Sequence, residues 1–206
     1  NCKFLEKEHL IRIKEKKFYQ GVRYELTVAT ICLLLGLKLT KVNTSLLEGE
    51  KIVEFTAYHH ETNTTLYVEA KSRHRDGVLH YESLEKSNNN KGEFKKLIRN
   101  MMLKRKSGQI LLGFVDVNIF YGDQVSCEPN EFDSAIMESI GKAISAPNVS
   151  RNDHANAIIF TNYAYHYSGN SVSTPGMFEI FSPELTNRNL VESTIDIPYF
   201  YDMLTY

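Results

Sequence analysis

The chain has 206 residues and a mass of 23.7 kDa, with 42% hydrophobic and 24% charged residues. That suits one globular domain, which at this length buries about 70% of its unfolded surface and needs neither disulfides nor a structural metal to hold a core. The formal charge of −1 names no partner, while the three cysteines Cys2, Cys32 and Cys127 have no paired spacing, which excludes a disulfide scaffold and a zinc ribbon and points to a reducing, cytoplasmic compartment.

The longest uncharged apolar run, Leu26 to Leu37, is about a dozen residues, short of the ~20 that span a bilayer. It reads as a buried helix, and no membrane association is expected. Charge is unevenly placed: residues 1–106 sum to +8 and residues 107–206 to −9. Such an asymmetry predicts one basic face able to meet phosphates, with a set of solvated helix faces as the alternative.

Residues 1–18 read as an N-terminal amphipathic helix carrying Phe4, Leu5, Leu10, Ile11 and Phe18. From Tyr19 the stripe Tyr24, Val28, Ile31, Cys32 and Leu35 predicts a second helix, stopped by Gly36, with Glu25 at the edge of the stripe. Three strand-like runs follow at about 38–47, 52–59 and 65–72. The turn-forming cluster Glu61-Thr62-Asn63-Thr64 makes the second and third a hairpin. A turn centred between Glu61 and Thr62 sets Glu54 opposite Glu69, on one face.

Beyond a loop at 87–92, a basic helix is expected over 93–106, with Phe94, Leu97, Ile98 and Met101 inward and Lys95, Lys96, Arg99, Lys104 and Arg105 elsewhere. An apolar strand at 110–120, an amphipathic helix at 131–145 and a strand at 157–167 complete the pattern. The mixed order implies an α/β class, a central mixed sheet flanked by helices. The core domain is placed at 19–167, with 168–206 an extension packed on it or forming an interface.

Acid-x-Lys pairs occur three times, at Glu15/Lys17, Glu69/Lys71 and Glu93/Lys95, which is about the chance expectation. Only Glu69/Lys71 ends an apolar strand and faces another acid across a hairpin. Residues i and i+2 of a strand share a face, so Glu54, Glu69 and Lys71 converge. Two carboxylates and a lysine on a half-buried face are costly to desolvate unless paired. A divalent cation pairs them, since Mg²⁺ takes one or two carboxylates plus waters and phosphate oxygens; a lysine ladder on a solvated strand is the other reading. His59-His60-Glu61 places its histidines on opposite strand faces. Asp116 with Asn118 and Asp153 with His154 read as structural. No phosphate-binding Gly-rich loop, Ser/His/Asp signature or dinucleotide fingerprint is present.

This order of elements and residues resembles the PD-(D/E)XK nuclease superfamily, the restriction-endonuclease-like αβββαβ fold, over about Tyr19 to Tyr167. In that family a helix acid precedes the sheet, an acid sits on the second strand, and an acid-x-Lys triplet ends the third. Glu25, Glu54 and Glu69 with Lys71 resemble these positions, with Glu54 standing where Asp is usual. The resemblance implies a Mg²⁺-dependent endonuclease, with Mn²⁺ able to substitute, hydrolysing phosphodiester bonds of nucleic acid, DNA rather than RNA, in restriction, phage defence or repair. Glu54 and Glu69 would hold the metal with support from Glu25, and Lys71 would position the nucleophile. Arg73, Arg75, Lys95, Lys96 and Arg99 are the candidate nucleic-acid contacts, and a homodimer or larger assembly is compatible with cutting two strands. The alternative is a catalytically inactive nuclease-like binding protein, or a scaffold or sensor subunit of a larger complex.

Overall fold

The computed structural model describes residues 7–41, 53–73, 91–104, 108–116, 155–161, 166–168, 171–173 and 178–181, together with Glu138 and Lys142. Helices α1 (Lys7–Arg12) and α2 (Lys16–Leu34) stand where the sequence predicts one helix to residue 18 and another from Tyr19. The chain turns between them: Lys14 N–H donates to the Ile11 carbonyl and Glu15 N–H to the Arg12 carbonyl. Glu15 then caps α2 in an extended conformation, its carbonyl accepting the Phe18 and Tyr19 N–H groups at 2.9 and 3.0 Å. The break has a consequence for charge. Thirteen residues of unbroken helix would hold Arg12 about 20 Å from Glu25, whereas the turn lets both guanidinium nitrogens reach that carboxylate at 3.0 and 3.1 Å.

Helix α2 ends as its glycine predicts. Gly36 adopts φ +75°, its N–H donates to the Leu33 carbonyl, and Leu37 N–H donates to the Cys32 carbonyl. This pair of reverse bonds satisfies carbonyls the helix end would otherwise leave open.

The remaining elements are β1 (Lys38–Lys41), β2 (Phe55–His59), β3 (Thr64–Ser72), α3 (Lys91–Met102), β4 (Ile110–Asp116), β5 (Ala157–Thr161), β6 (His166–Ser168), β7 (Ser171–Ser173) and β8 (Phe178–Phe181). Six strands form one mixed sheet in the order β1-β2-β3-β4-β5-β8, and β6 pairs with β7 separately. The first three strands are antiparallel, β3, β4 and β5 run parallel, and β8 returns antiparallel to β5. The protein is therefore α/β, and the segment beyond residue 167 contributes β8 to the sheet. The expected helix at 131–145 lies outside the described residues, apart from Glu138 and Lys142, which form an i,i+4 ion pair.

Alternation along the strands assigns the two faces. Phe55, Leu66, Val68, Ala70, Phe114 and Ile159 pack in one buried cluster with Tyr24, Val28 and Cys32 of α2. Each fully buried large apolar side chain there contributes about 1.5–3 kcal/mol relative to exposure. The intervening residues Tyr67, Glu69 and Lys71 project to the opposite face. There α3 packs, with Ile98, Met101 and Met102 fully buried. Among the described residues no helix is long and apolar enough to cross a membrane.

Candidate active site

The β2–β3 hairpin has the register its turn chemistry predicts. Asn63 takes the left-handed φ of 51° that asparagine tolerates better than most residues, and its side chain accepts the Tyr58 hydroxyl at 2.8 Å. Pairing runs from His59↔Thr64 to Phe55↔Val68, so Glu54, one residue beyond β2, falls in line with Glu69. Lys71, two residues further along β3, bridges them: its Nζ lies 2.9 Å from Glu54 Oε1 and 2.7 Å from Glu69 Oε1. Glu69 has no exposed side-chain surface, while those of Glu54 and Lys71 retain 25% and 27%.

A second ammonium completes the group. Lys104, in the turn that closes α3, places its Nζ 2.6 Å from Glu69 Oε1. Its backbone N–H is fixed on the Met101 carbonyl at 3.0 Å. The approach of α3 depends on Gly113, the register partner of Glu69 on β4. A Cβ there would lie 2.1 Å from the Met101 sulfur, so the missing side chain is what lets this end of α3 sit close over Glu69. The apolar spacing of the helix expected over 93–106 sets Lys104 apart from its inward residues; no spacing signal links it to Glu69, and only the packing of α3 on β4 does.

Burial is the largest influence on Glu69 and raises its carboxyl above the usual carboxylate range; Lys71 and Lys104 oppose that shift and Glu54 adds to it. Burial pulls the Lys71 ammonium down, but the Glu69 and Glu54 carboxylates outweigh it, leaving its pKa above the ordinary lysine value. Lys71 is thus firmly cationic, suited to orienting a lone pair or stabilising negative charge and unsuited to removing a proton.

Other predicted site residues are placed differently. Glu25 belongs to α2, on the sheet face opposite the projection of Glu69 and Lys71, and Arg12 takes both its carboxylate oxygens. The structure brings Glu54, Glu69 and Lys71 together and leaves Glu25 with Arg12. On the α2 side, the Tyr24 hydroxyl and Thr161 Oγ1 lie 2.7 Å apart, and Ser72 Oγ donates to buried Asp116 at 3.2 Å. Arg73 N–H donates to the Asp116 carbonyl at 3.0 Å, extending the β3–β4 pairing by one step. Arg73 is half-buried, Lys96 exposed and Arg99 half-buried on α3. Arg75 and the Lys95 side chain lie outside what is described. His59 Nδ1 is engaged with the Thr62 hydroxyl at 2.8 Å in the hairpin turn, which absorbs that motif.

Whether Mg²⁺ suits these residues can be judged from their donors. Among the described residues there is no group of three or more His, Cys, Asp or Glu side chains able to hold a metal. Two carboxylates, however, are what Mg²⁺ commonly takes from a protein. Both ammonium groups pair with Glu69 Oε1, and Oε2 is buried with no hydrogen-bond partner among the described residues. A buried carboxylate oxygen left open in this way is costly and fits a cation. The chain matches no protein-family model, no curated protein and no solved structure.

Proposed function

We propose that this protein is a divalent-metal-dependent endonuclease that hydrolyses phosphodiester bonds of nucleic acid, DNA rather than RNA, on a restriction-endonuclease-like core. The observation that carries this reading is the convergence of Glu54, Glu69 and Lys71 at the end of β3, with one ammonium between two carboxylates. The element order supports it: helix, three antiparallel strands, helix, and a fourth strand parallel to the third match the αβββαβ order of the PD-(D/E)XK resemblance.

In this reading Glu54 and Glu69 would hold the ion, Glu69 offering Oε2, which has no hydrogen-bond partner among the described residues. Bound Mg²⁺ supplies Lewis-acid polarisation of the phosphoryl group and activation of the attacking water. Lys71, being cationic, orients that water and stabilises charge developing on the phosphate in the transition state. Arg73, two residues on, would meet a flanking phosphate. Glu25 acts at a distance, fixing α1 through Arg12.

The second reading, a nuclease-like protein that binds without cutting, is favoured by one observation: Lys71 and Lys104 already neutralise both carboxylates. Mn²⁺ titration followed by cleavage assays on duplex DNA, single-stranded DNA and RNA separates the two. The nuclease reading expects saturable Mn²⁺ binding, weakened at least tenfold by Glu69→Ala, and cleavage lost in Lys71→Ala while Mn²⁺ binding persists. Mn²⁺ binding equal in wild type and Glu69→Ala would remove the metal site, and cleavage undiminished in Lys71→Ala would remove Lys71 from the mechanism.

A further inference from the structure

The two faces of the β1–β2–β3 half of the sheet are covered unequally. On the α2 side, Phe55, Ala57, Leu66 and Val68 retain no more than 1% exposure. On the other side α3 packs chiefly against β3 and β4, and what β1 and β2 turn that way stays accessible: Lys38 and Thr40 are exposed, Thr56 and Tyr58 half-buried. Lys38 stands opposite Tyr58, Thr40 opposite Thr56, and Thr56 opposite half-buried Tyr67. Directly opposed residues share a face, and alternation puts all five on the face of Glu54, Glu69 and Lys71.

The chemistry of this open face is specific. Tyr58 lies opposite Thr65 and so diagonal to Tyr67, a spacing of about 7–8 Å that lets two rings serve one ligand. Tyr67 is two residues, about 7 Å, from Glu69 along β3. The Tyr58 ring is held in place, its edge against His60 at 6.2 Å between centroids and its hydroxyl on Asn63. Lys38 is the one charged residue of the five, and it is cationic. The next carboxylates along the face, Glu54 and Glu69, are already answered by Lys71 and Lys104, so a polyanion crossing it meets a positive charge first. Ring faces, hydroxyls and a cation on a sheet surface suit nucleobases joined by phosphates. A duplex keeps its bases stacked on one another, whereas a single strand can offer them to the rings.

We propose that the open face of β1, β2 and β3 binds a single-stranded DNA segment, with Tyr67 and Tyr58 stacking bases and Lys38 meeting a phosphate, and leads it toward Glu54, Glu69 and Lys71. This rests on the nuclease reading above and adds its substrate class: the strand presented to the site is unpaired.

The test is fluorescence anisotropy of a labelled single-stranded DNA oligonucleotide and of the matching duplex, in EDTA so that no cleavage intervenes. Wild type should bind the single strand more tightly than the duplex. Tyr67→Leu and Tyr58→Leu should each weaken single-strand binding by about fivefold or more, the loss expected for one stacked base, with the salt slope unchanged. Tyr67→Phe keeps the ring and should stay within about twofold of wild type, while Lys38→Gln should reduce the log–log salt slope by about 0.7. Should a leucine variant fail to fold, ultraviolet crosslinking of a bromouracil-substituted single strand to wild type supplies the answer, because the modified peptides should carry Tyr58 or Tyr67. A preference for duplex, leucine variants that bind as wild type does, or crosslinks that map elsewhere overturn this inference and leave the Mn²⁺ site standing. Single-strand binding with the expected tyrosine dependence in a chain that takes no Mn²⁺ overturns the nuclease reading and keeps this surface.

Discussion

Glu54 stands in register with Glu69 across the β2–β3 hairpin, and the Lys71 ammonium lies between their carboxylates at 2.9 and 2.7 Å. One of those carboxylates is half-exposed and the other has lost all contact with solvent, so the same pair of side chains combines an accessible ligand with a costly buried one. That inequality shapes the predictions for the site.

Glu69→Gln should raise the melting temperature at pH 7 in the absence of divalent ions while abolishing tight Mn²⁺ binding. Burial raises the Glu69 carboxyl above its unfolded value of ~4.3. The preference for the protonated form stabilises the fold fully below that pH and is lost as pH rises through the folded value. The glutamine variant keeps the neutral form at every pH, so its advantage should shrink as pH falls toward 4. Calorimetry across pH 4–8 checks this; a less stable variant at pH 7 would mean that Lys71 and Lys104 outweigh burial.

Alkaline stability should carry the mark of Lys71. Its folded pKa is raised by Glu69 and Glu54, so its contribution is complete below the unfolded lysine value of ~10.4 and declines as pH rises through the folded one. Lys71→Met should be less stable than wild type at pH 8, and the difference should begin to close above pH 10.5. A gap independent of pH would point to lost packing of the lysine stem instead.

Glycine substitutions separate space from backbone conformation. Gly113→Ala puts a methyl group against the buried Met101 sulfur. We expect a loss of about 1–3 kcal/mol, with Mn²⁺ affinity altered through the displaced end of α3. At Gly36 a Cβ meets nothing within 4 Å, but φ is +75°, so Gly36→Ala should cost about 1 kcal/mol and leave Mn²⁺ affinity unchanged. Urea denaturation of both variants beside Mn²⁺ titration decides the matter; equal effects on affinity would disprove the role given to Gly113.

Arg12→Ala leaves the Glu25 carboxylate, 7% exposed, without the cation that takes both its oxygens. Arg12 is itself 31% exposed, which tempers the loss to about 1–3 kcal/mol. Adding Glu25→Gln should recover part of it, and Glu25→Gln alone should keep Mn²⁺ affinity within about twofold. A tenfold weakening in that variant would return Glu25 to the metal shell.

If the basic half of the chain tracks nucleic acid, affinity should fall steeply with salt, by about 0.9 log units per phosphate contact on a duplex. Replacing Arg73 and Arg75 together by Gln should reduce the log–log slope by about two, with Lys95, Lys96 and Arg99 as the comparison set. Slopes unchanged by either set would make the basic half a surface without a polyanionic role.

What the amino-acid order determined by itself is local. Gly36 ends α2 because reversing the chain there calls for positive φ, and the Glu61–Thr64 turn sets the hairpin register, which places Glu54 beside Glu69 through period-two alternation alone. Chemistry of this kind is carried by neighbours in sequence and is legible without a fold. The break at residues 13–15, which brings Arg12 back to Glu25, has no comparable signal, since helical spacing continues through it. Which sheet face α2 covers, and hence that Glu25 belongs to an element on the face opposite Glu69 and Lys71, was settled only by the packing of Val28 and Cys32 in one cluster with Val68 and Ala70. Lys104 reaches Glu69 across 35 positions because Gly113 admits Met101 and lets α3 close over the strand. Burial and charge pairing depend on the sum of many weak apolar contacts between distant segments, and that sum exists only in the assembled tertiary structure.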